Sequence, residues 1–386
     1  MSEDVNLLIN HTSELFYQDN PSNPLMQKYR LLDAPITRYA IGVFRLISGV
    51  PPLQNDWDWS KTWDENKLAF PTPKMLFVSR LSTAILFPIS IVIFFLLSKE
   101  LFKNNNILIG LSVLLFSLNS LLLLHTRRAM AESSLIFFLT LSLYLLLKLP
   151  KKIIFLSAIP IGFAINSKQI LIFLVLVGLL LFFYYFFKET NKLITQTIFF
   201  SIIIVSIFML FNPILWNNPL KAFDAMIKER SLLTQNQEFS IEAVSPTSIT
   251  DTIPKKIVAW IAQIYILPPS PQEIANYQDA LNVSFVNYLK SPFQKGLFRN
   301  LLLGTLSFLF FLYGFIRAII NFTIKEKIIF VSAFLLFFLE ILFLFKIPFQ
   351  RYFLPAIPLS ILFESYGIFQ FYYWVKRKIH LNKIFK

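Results

Sequence analysis

Three short polar stretches interrupt long apolar runs, and each carries a cation. HTRRAMAE at 125–132 holds His125, Arg127, Arg128 and Glu132; NSKQ at 166–169 holds Lys168; KIPFQRYFLP at 346–355 holds Lys346, Arg351 and Tyr352. Charges at membrane depth are costly, which makes them functional candidates. A ring of Lys and Arg at headgroup level suits an anionic group such as a lipid phosphate or diphosphate. Singly, each cation reads equally well as a snorkelling side chain at a helix end. As a set they stand out, because short outer turns are normally poor in Lys and Arg. Glu132 fits a dipole-complementing carboxylate at a helix N-terminus, or a group that orients a sugar hydroxyl or an Arg. Acids also stand early in the chain, Glu3 and Asp4, which read as an exposed acidic end, and Asp33, which precedes a segment holding Arg38 and Tyr39. Glu340 and Glu364 lie within apolar runs, where a carboxyl has to be paired or protonated.

The elements that position these groups are membrane helices. Of 386 residues 55% are apolar, 17% aromatic (44 Phe) and 15% charged, which excludes an ordinary soluble domain. Apolar runs of roughly 17–25 residues, the length of a spanning helix, predict an all-α polytopic bundle with nine spans near 76–97, 107–124, 130–147, 153–166, 170–187, 194–212, 300–320, 328–346 and 353–374. The organisation expected is an outer loop and surface helix at 1–75, a six-span bundle at 76–212, a large outer loop at 213–299, a three-span bundle at 300–375 and a basic cytoplasmic tail at 376–386. Lys99, Lys103, Lys148, Lys151, Lys152, Lys188, Lys192, Lys325, Lys327 and the tail fall on alternate connections, which the positive-inside rule assigns to the cytoplasm. The three polar turns and both polar blocks then face outward. An odd span number with the C-terminus inside leaves the acidic N-terminal block outside without a leader, so a further helix is expected upstream of Met1. The alternative, that 35–49 spans, suits a stretch of this length with two Arg less well than a helix lying on the surface.

Composition closes other routes. The absence of Cys removes disulfides, thiolate metal sites and a Cys nucleophile, and three His leave little material for a transition-metal centre; no metal and no cofactor are expected. The net charge of +14 sits at span ends and not in an aromatic-laced stripe, so nucleic acid is not the expected partner. Membrane lipids are.

The motifs together resemble the GT-C glycosyltransferases, in the branch of protein O-mannosyltransferases and the lipid A aminoarabinose transferase. LLDAPITRYAIGVFRLISG (31–49) looks like the family's Pro-containing amphipathic helix, and RLSTAILFPISIVIFFLLSKELF (80–102) followed by LHTRRAMAESSLIFFLTLSLYLLL (124–147) like its R-x-x-M-x-[DE] segment with flanking helices. IGFAINSKQ (161–169) looks like its G-x-A-x-x-[ST]-K turn, and RYFLPAIPLSIL (351–362) like its R-Y-x-L-P helix start. The resemblance spans roughly residues 20–375. It implies transfer of a sugar from a polyprenyl phosphate, as donor substrate, to a hydroxyl on the extracytoplasmic face, with inversion and without a metal. A first-loop carboxylate would deprotonate the acceptor while cations hold the departing phosphate. The family's acid stands in an Asp-Glu pair after the first helix; here the order is reversed, Glu3-Asp4, at the very start, and the resemblance implies Asp4 as the general base, with Glu3 second and Asp33 the runner-up. On this resemblance Arg127, Lys168 and Arg351 bind phosphate, with Arg128, Tyr352, Arg38 and Tyr39 beside them, and Glu132 contacts sugar or supports the site. The acceptor stays open among glycan, lipid and protein.

Two other classes compete. A flippase or transporter of lipid-linked saccharide would also gather cations, but such proteins show paired halves and broken spans, and no internal repeat is present. A catalytically silent lipid-phosphate-binding relative is the other. Smaller signals remain. WDWSKTWDENK (57–67) is an aromatic and acidic loop suited to stacking on sugars or to an interfacial belt. FNPILWNNPL (211–220) opens the long loop as a turn, and YILPPSPQE (265–273) is a candidate cover. Asn10-His11-Thr12 and Asn282-Val283-Ser284 match the N-glycosylation triplet. Lys, Asn, Ile and Phe enrichment leans to a bacterial plasma membrane.

Overall fold

A computed structural model describes residues 3–103, 105–270, 278–296 and 298–384. It is 79% helical, without strands among the described residues, so the all-α polytopic architecture holds. The N-terminal block forms α1 (Asp4–Asn10), α2 (Pro24–Leu32) and α3 (Pro35–Ile47). Then come α4 (Pro73–Ala84), α5 (Leu86–Leu101), α6 (Asn106–Ser117), α7 (Ser120–Thr126), α8 (Glu132–Lys148), α9 (Ala158–Ser167), α10 (Phe173–Phe186) and α11 (Thr190–Phe211). The long polar connection carries α12 (Pro219–Val244), α13 (Ile253–Ile261), α14 (Gln278–Leu289) and the one-turn α15 (Pro292–Lys295), and the last bundle α16 (Leu301–Asn321), α17 (Ile324–Glu326), α18 (Ser332–Leu344) and α19 (Ala356–Ile384). Asn23, Thr72, Asn105, Asn119, Asn218 and Asn300 cap helix starts through their side chains, and Pro occupies the first turn of α2, α3, α4 and α12.

Not every apolar run of the sequence becomes one long unbroken helix. Among the described residues five helical segments are by themselves long and apolar enough to cross a membrane: Pro73–Leu101, Gln169–Phe186, Thr190–Phe211, Leu301–Asn321 and Ile324–Leu344; α6 and α7, bent by 50°, make a sixth if the pair is one span. The stretches 130–147, 153–166 and 353–374 are helical but do not join them. α8 begins only at Glu132 and has 17 residues; residues 153–166 divide between a 3-10 segment, Lys151–Ser157, and the ten-residue α9; α19 mixes Glu364, Gln370 and tyrosines into its apolar run. α8 and α9 line the centre of the bundle, where Leu135, Ile136, Leu139, Leu143, Ile161 and Ala164 are fully buried.

α3 turns Arg38 and Arg45 into the protein and leaves Val43, Leu46 and Ile47 exposed. α16 and α19 meet along a glycine seam. A Cβ on Gly314 would stand 1.8 Å from the Phe363 carbonyl oxygen, and one on Gly367 2.0 Å from that of Phe310. Glycine is scarce, yet here small residues set a helix contact. Within the same bundle Ser307 hydrogen-bonds the buried Glu364, and Glu340 Oε2 has no hydrogen-bond partner among the described residues.

The connections sort to two ends. At one, Lys148 pairs with Glu100 (2.9 Å), Lys151 with Glu189 (2.9 Å), and Lys325 Nζ donates to the Leu147 carbonyl (2.6 Å). At the other, the turns at 125–132, 166–169 and 346–352 converge under α2, α3 and α12.

Candidate functional site

The DAP sequence at 33–35 makes the first part of the site. A residue before proline avoids helical geometry; Ala34 is extended, α2 stops at Leu32, and Asp33 is left at the break with its N–H bonded to the Tyr29 carbonyl (2.9 Å). Asp33 is exposed to solvent at this break. Burial raises its pKa, against the pull of Arg38, Arg230 and Arg351; the nearby Glu132 adds to the rise.

α8 supplies the second part. Its first residue, Glu132, is 2% exposed and pairs with Lys168 (2.9 Å), which the end of α9 presents. Glu132 Oε2 has no hydrogen-bond partner among the described residues. The turn before α8 is fastened to α4: Thr83 Oγ1 donates to the Arg128 carbonyl (2.9 Å) and Ser133 Oγ to the Thr83 carbonyl (2.6 Å). Thr37 and Ser134 hydroxyls, 2.8 Å apart, tie α3 to α8. Asn212 Nδ2 donates to Asn166 Oδ1 (2.6 Å), fixing the turn that holds Lys168.

The third part is the 346–352 turn. Lys168 Nζ and the Arg351 guanidinium lie 5.5 and 5.6 Å from the Tyr352 ring centre, cation–π distances that place both charges around one aromatic face or edge. Gln350, buried, accepts from the Ser270 N–H (2.7 Å) and donates to the Pro268 carbonyl (2.9 Å). Thr250 donates twice to the Lys346 carbonyl (2.8 and 2.7 Å). Residues 265–270 therefore lie over this turn; 271–273 of the candidate cover fall outside the described residues. His125 is buried within electrostatic reach of Glu132, Arg128, Lys168 and Arg351.

Several expectations change. Arg127 has no contact here with Glu132, Lys168 or Arg351; it is exposed, stacks over Tyr288 (5.5 Å) and lines a cavity of about 270 Å³ with Phe87, Pro88, Leu123 and Gln294. Arg128, half-buried, lies within the electrostatic surroundings of His125. Asp4 is buried rather than an exposed end: Oδ1 accepts from Arg30 (3.1 and 3.0 Å) and Oδ2 from Arg38 (2.9 Å). Glu3 caps α1 through its backbone, and its charge acts on Arg45. Tyr39 sits beside this cluster with its ring 6.4 Å from Phe211, and burial pushes its phenol up to about 12. One group escaped the sequence altogether. Arg230 of α12 donates to the Leu32 carbonyl and to Gln169 Oε1 (3.4 Å), joining the residue before Asp33 to the residue after Lys168. Nothing in KER at 228–230 distinguishes it from a solvated helix face. Among the described residues no cluster of three or more His, Asp or Glu is placed to hold a metal ion.

Residues 44–219 match the family model of the dolichyl-phosphate-mannose-protein mannosyltransferases, a GT-C family. The match contains Arg127, Arg128, Glu132 and Lys168 and stops short of Asp33, Arg230 and Arg351. No curated protein matches the chain.

Proposed function

We propose that this is a membrane glycosyltransferase that takes a sugar from a polyprenyl phosphate and gives it to a hydroxyl acceptor on the extracytoplasmic face, inverting the anomeric centre. The observation that carries this is the solvent-open Asp33 carboxylate standing within the field of Arg38, Arg230 and Arg351. In the reaction, Asp33 takes the acceptor O–H proton as the acceptor oxygen bonds to the anomeric carbon. The bond from that carbon to the phosphate oxygen breaks, and its electron pair leaves with the polyprenyl phosphate. Arg351, Lys168 and Arg230 stabilise the charge that grows there. Glu132 holds Lys168 in place. Asp4, both of whose oxygens are engaged, orients Arg38 and Arg30 and is not the proton acceptor.

The family match supports a lipid-phosphate sugar donor, and its description names mannose and protein. The positive-inside pattern supports an outward site, and the Lys, Asn, Ile and Phe enrichment a bacterial plasma membrane. Incubating the purified protein with radiolabelled polyprenyl-phosphate sugars and following label into protein, lipid and polysaccharide fractions tests the proposal. Label that stays on the carrier with every acceptor fraction would refute it.

A further inference from the structure

The loop between α3 and α4 has taken no part so far, although it is built with care. Asn66, 2% exposed, is its hub: Oδ1 accepts from the Asp58 N–H (2.9 Å), and Nδ2 donates to the carbonyls of Asp58 (2.8 Å) and Thr62 (3.0 Å). Asp58 Oδ1 accepts from the Ser60 N–H and hydroxyl (2.9 and 2.7 Å), and Glu65 Oε2 from those of Thr62 (2.8 and 2.7 Å). On this frame Trp57 contacts three rings, at 5.7 Å from Trp59, 5.7 Å from Trp63 and 5.8 Å from Phe70. Trp59 is 51% exposed at the tip. The loop is anchored beside the site, since Tyr29 of α2, four residues before Asp33, donates its hydroxyl to the Trp57 carbonyl (2.5 Å).

Two ligands suit exposed indoles on a rigid frame, a bilayer interface and a sugar ring. Charge separates them. Asp56, Asp58, Asp64 and Glu65 outnumber Lys61 and Lys67 within 56–67, whereas segments that lie in the interface carry Lys and Arg on their polar side and are drawn to anionic lipid. Carboxylates around an indole fit vicinal hydroxyls, as charged acceptors make the stronger hydrogen bonds. The weakly positive C–H face of a pyranose meets the negative face of the ring.

We infer that the 57–70 loop, through Trp59 and its flanking carboxylates, is a saccharide-binding platform that holds a carbohydrate acceptor next to Asp33. The inference rests on the glycosyl-transfer proposal for the word acceptor, and its test does not. Full-length protein in phosphatidylcholine–phosphatidylglycerol nanodiscs is titrated with cellotetraose, mannotetraose and chitotetraose, reading tryptophan emission and saturation-transfer NMR. At least one tetrasaccharide is expected to bind saturably, with affinity reduced about tenfold or more (roughly 1.4 kcal/mol) in Trp59→Ala and largely kept in Trp59→Phe, which retains an aromatic face. No saturable binding by any of the three, or equal binding by Trp59→Ala, overturns it. So does quenching of the Trp59 emission, taken as wild type minus Trp59→Phe, by brominated lipid, which would put the loop in the bilayer. The wild-type titration and the quenching decide the matter even if Trp59→Ala fails to fold. Binding without transfer from any polyprenyl-phosphate sugar would leave the platform standing and remove the transfer proposal.

Discussion

Glu132 and Lys168 form a 2.9 Å ion pair across two turns 36 residues apart, with the carboxylate 2% and the ammonium side chain 21% exposed. A buried pair of this kind adds little net stability, but removing one partner strands the other charge. Lys168→Met is expected to destabilise the protein by about 3–5 kcal/mol, and adding Glu132→Gln to recover a good part of that loss. Thermal unfolding of the two single variants and the double variant measures the coupling; additive losses would mean the pair is not formed.

Asp33 separates activity from stability. Asp33→Asn is expected to lower transfer by about 10²–10⁴-fold, while raising the unfolding temperature at neutral pH, since it removes a carboxylate whose ionised form burial disfavours. Transfer assays beside melting curves check both signs, and a less stable, fully active variant would remove Asp33 from the reaction.

The same raised pKa fixes the pH dependence. The folded chain binds the Asp33 proton more tightly than the unfolded chain, so this group's contribution to stability is full below the ordinary Asp value of about 3.9 and declines as pH rises through its folded pKa. Catalysis needs the ionised form, so kcat/KM climbs over that window. A pH–rate profile should show an acid limb above the usual carboxylate range, absent from Asp33→Asn.

Asp4→Asn provides the contrast. It leaves Arg30 and Arg38 without their buried counter-charge, for a loss of about 3–5 kcal/mol. At a temperature where the variant stays folded, activity should fall far less than in Asp33→Asn. Abolished transfer with an intact fold would return the base to Asp4.

Arg351→Ala and Arg230→Ala are each expected to weaken donor binding, most at low ionic strength. Arg127→Ala, outside the cluster, should change it less. Equilibrium binding of the polyprenyl phosphate over a salt series ranks the three.

The helical, membrane-embedded character was legible because apolar run length reports spans directly, and the three cationic turns because each interrupts such a run. The runs at 130–147 and 153–166 are less regular than they read, because α8 starts only at Glu132 and a 3-10 segment precedes α9, and neither break leaves a mark on apolar composition. Arg127 and Arg128 were indistinguishable beforehand, since adjacent arginines in one turn read alike, and only the fold shows Arg127 over Tyr288. Arg230 was hidden because a polar loop helix advertises no preferred face. Asp4 read as a loose end because its two arginine partners lie 26 and 34 residues away.

At Gly314 and Gly367 the backbones of α16 and α19 come into direct contact, and Phe310, Phe311 and Phe315 pack on Phe363 and Phe371 on either side of them. Sliding or rotation of α16 against α19 would bring carbonyls into collision. At that seam α16 and α19 are held together as one fixed keel.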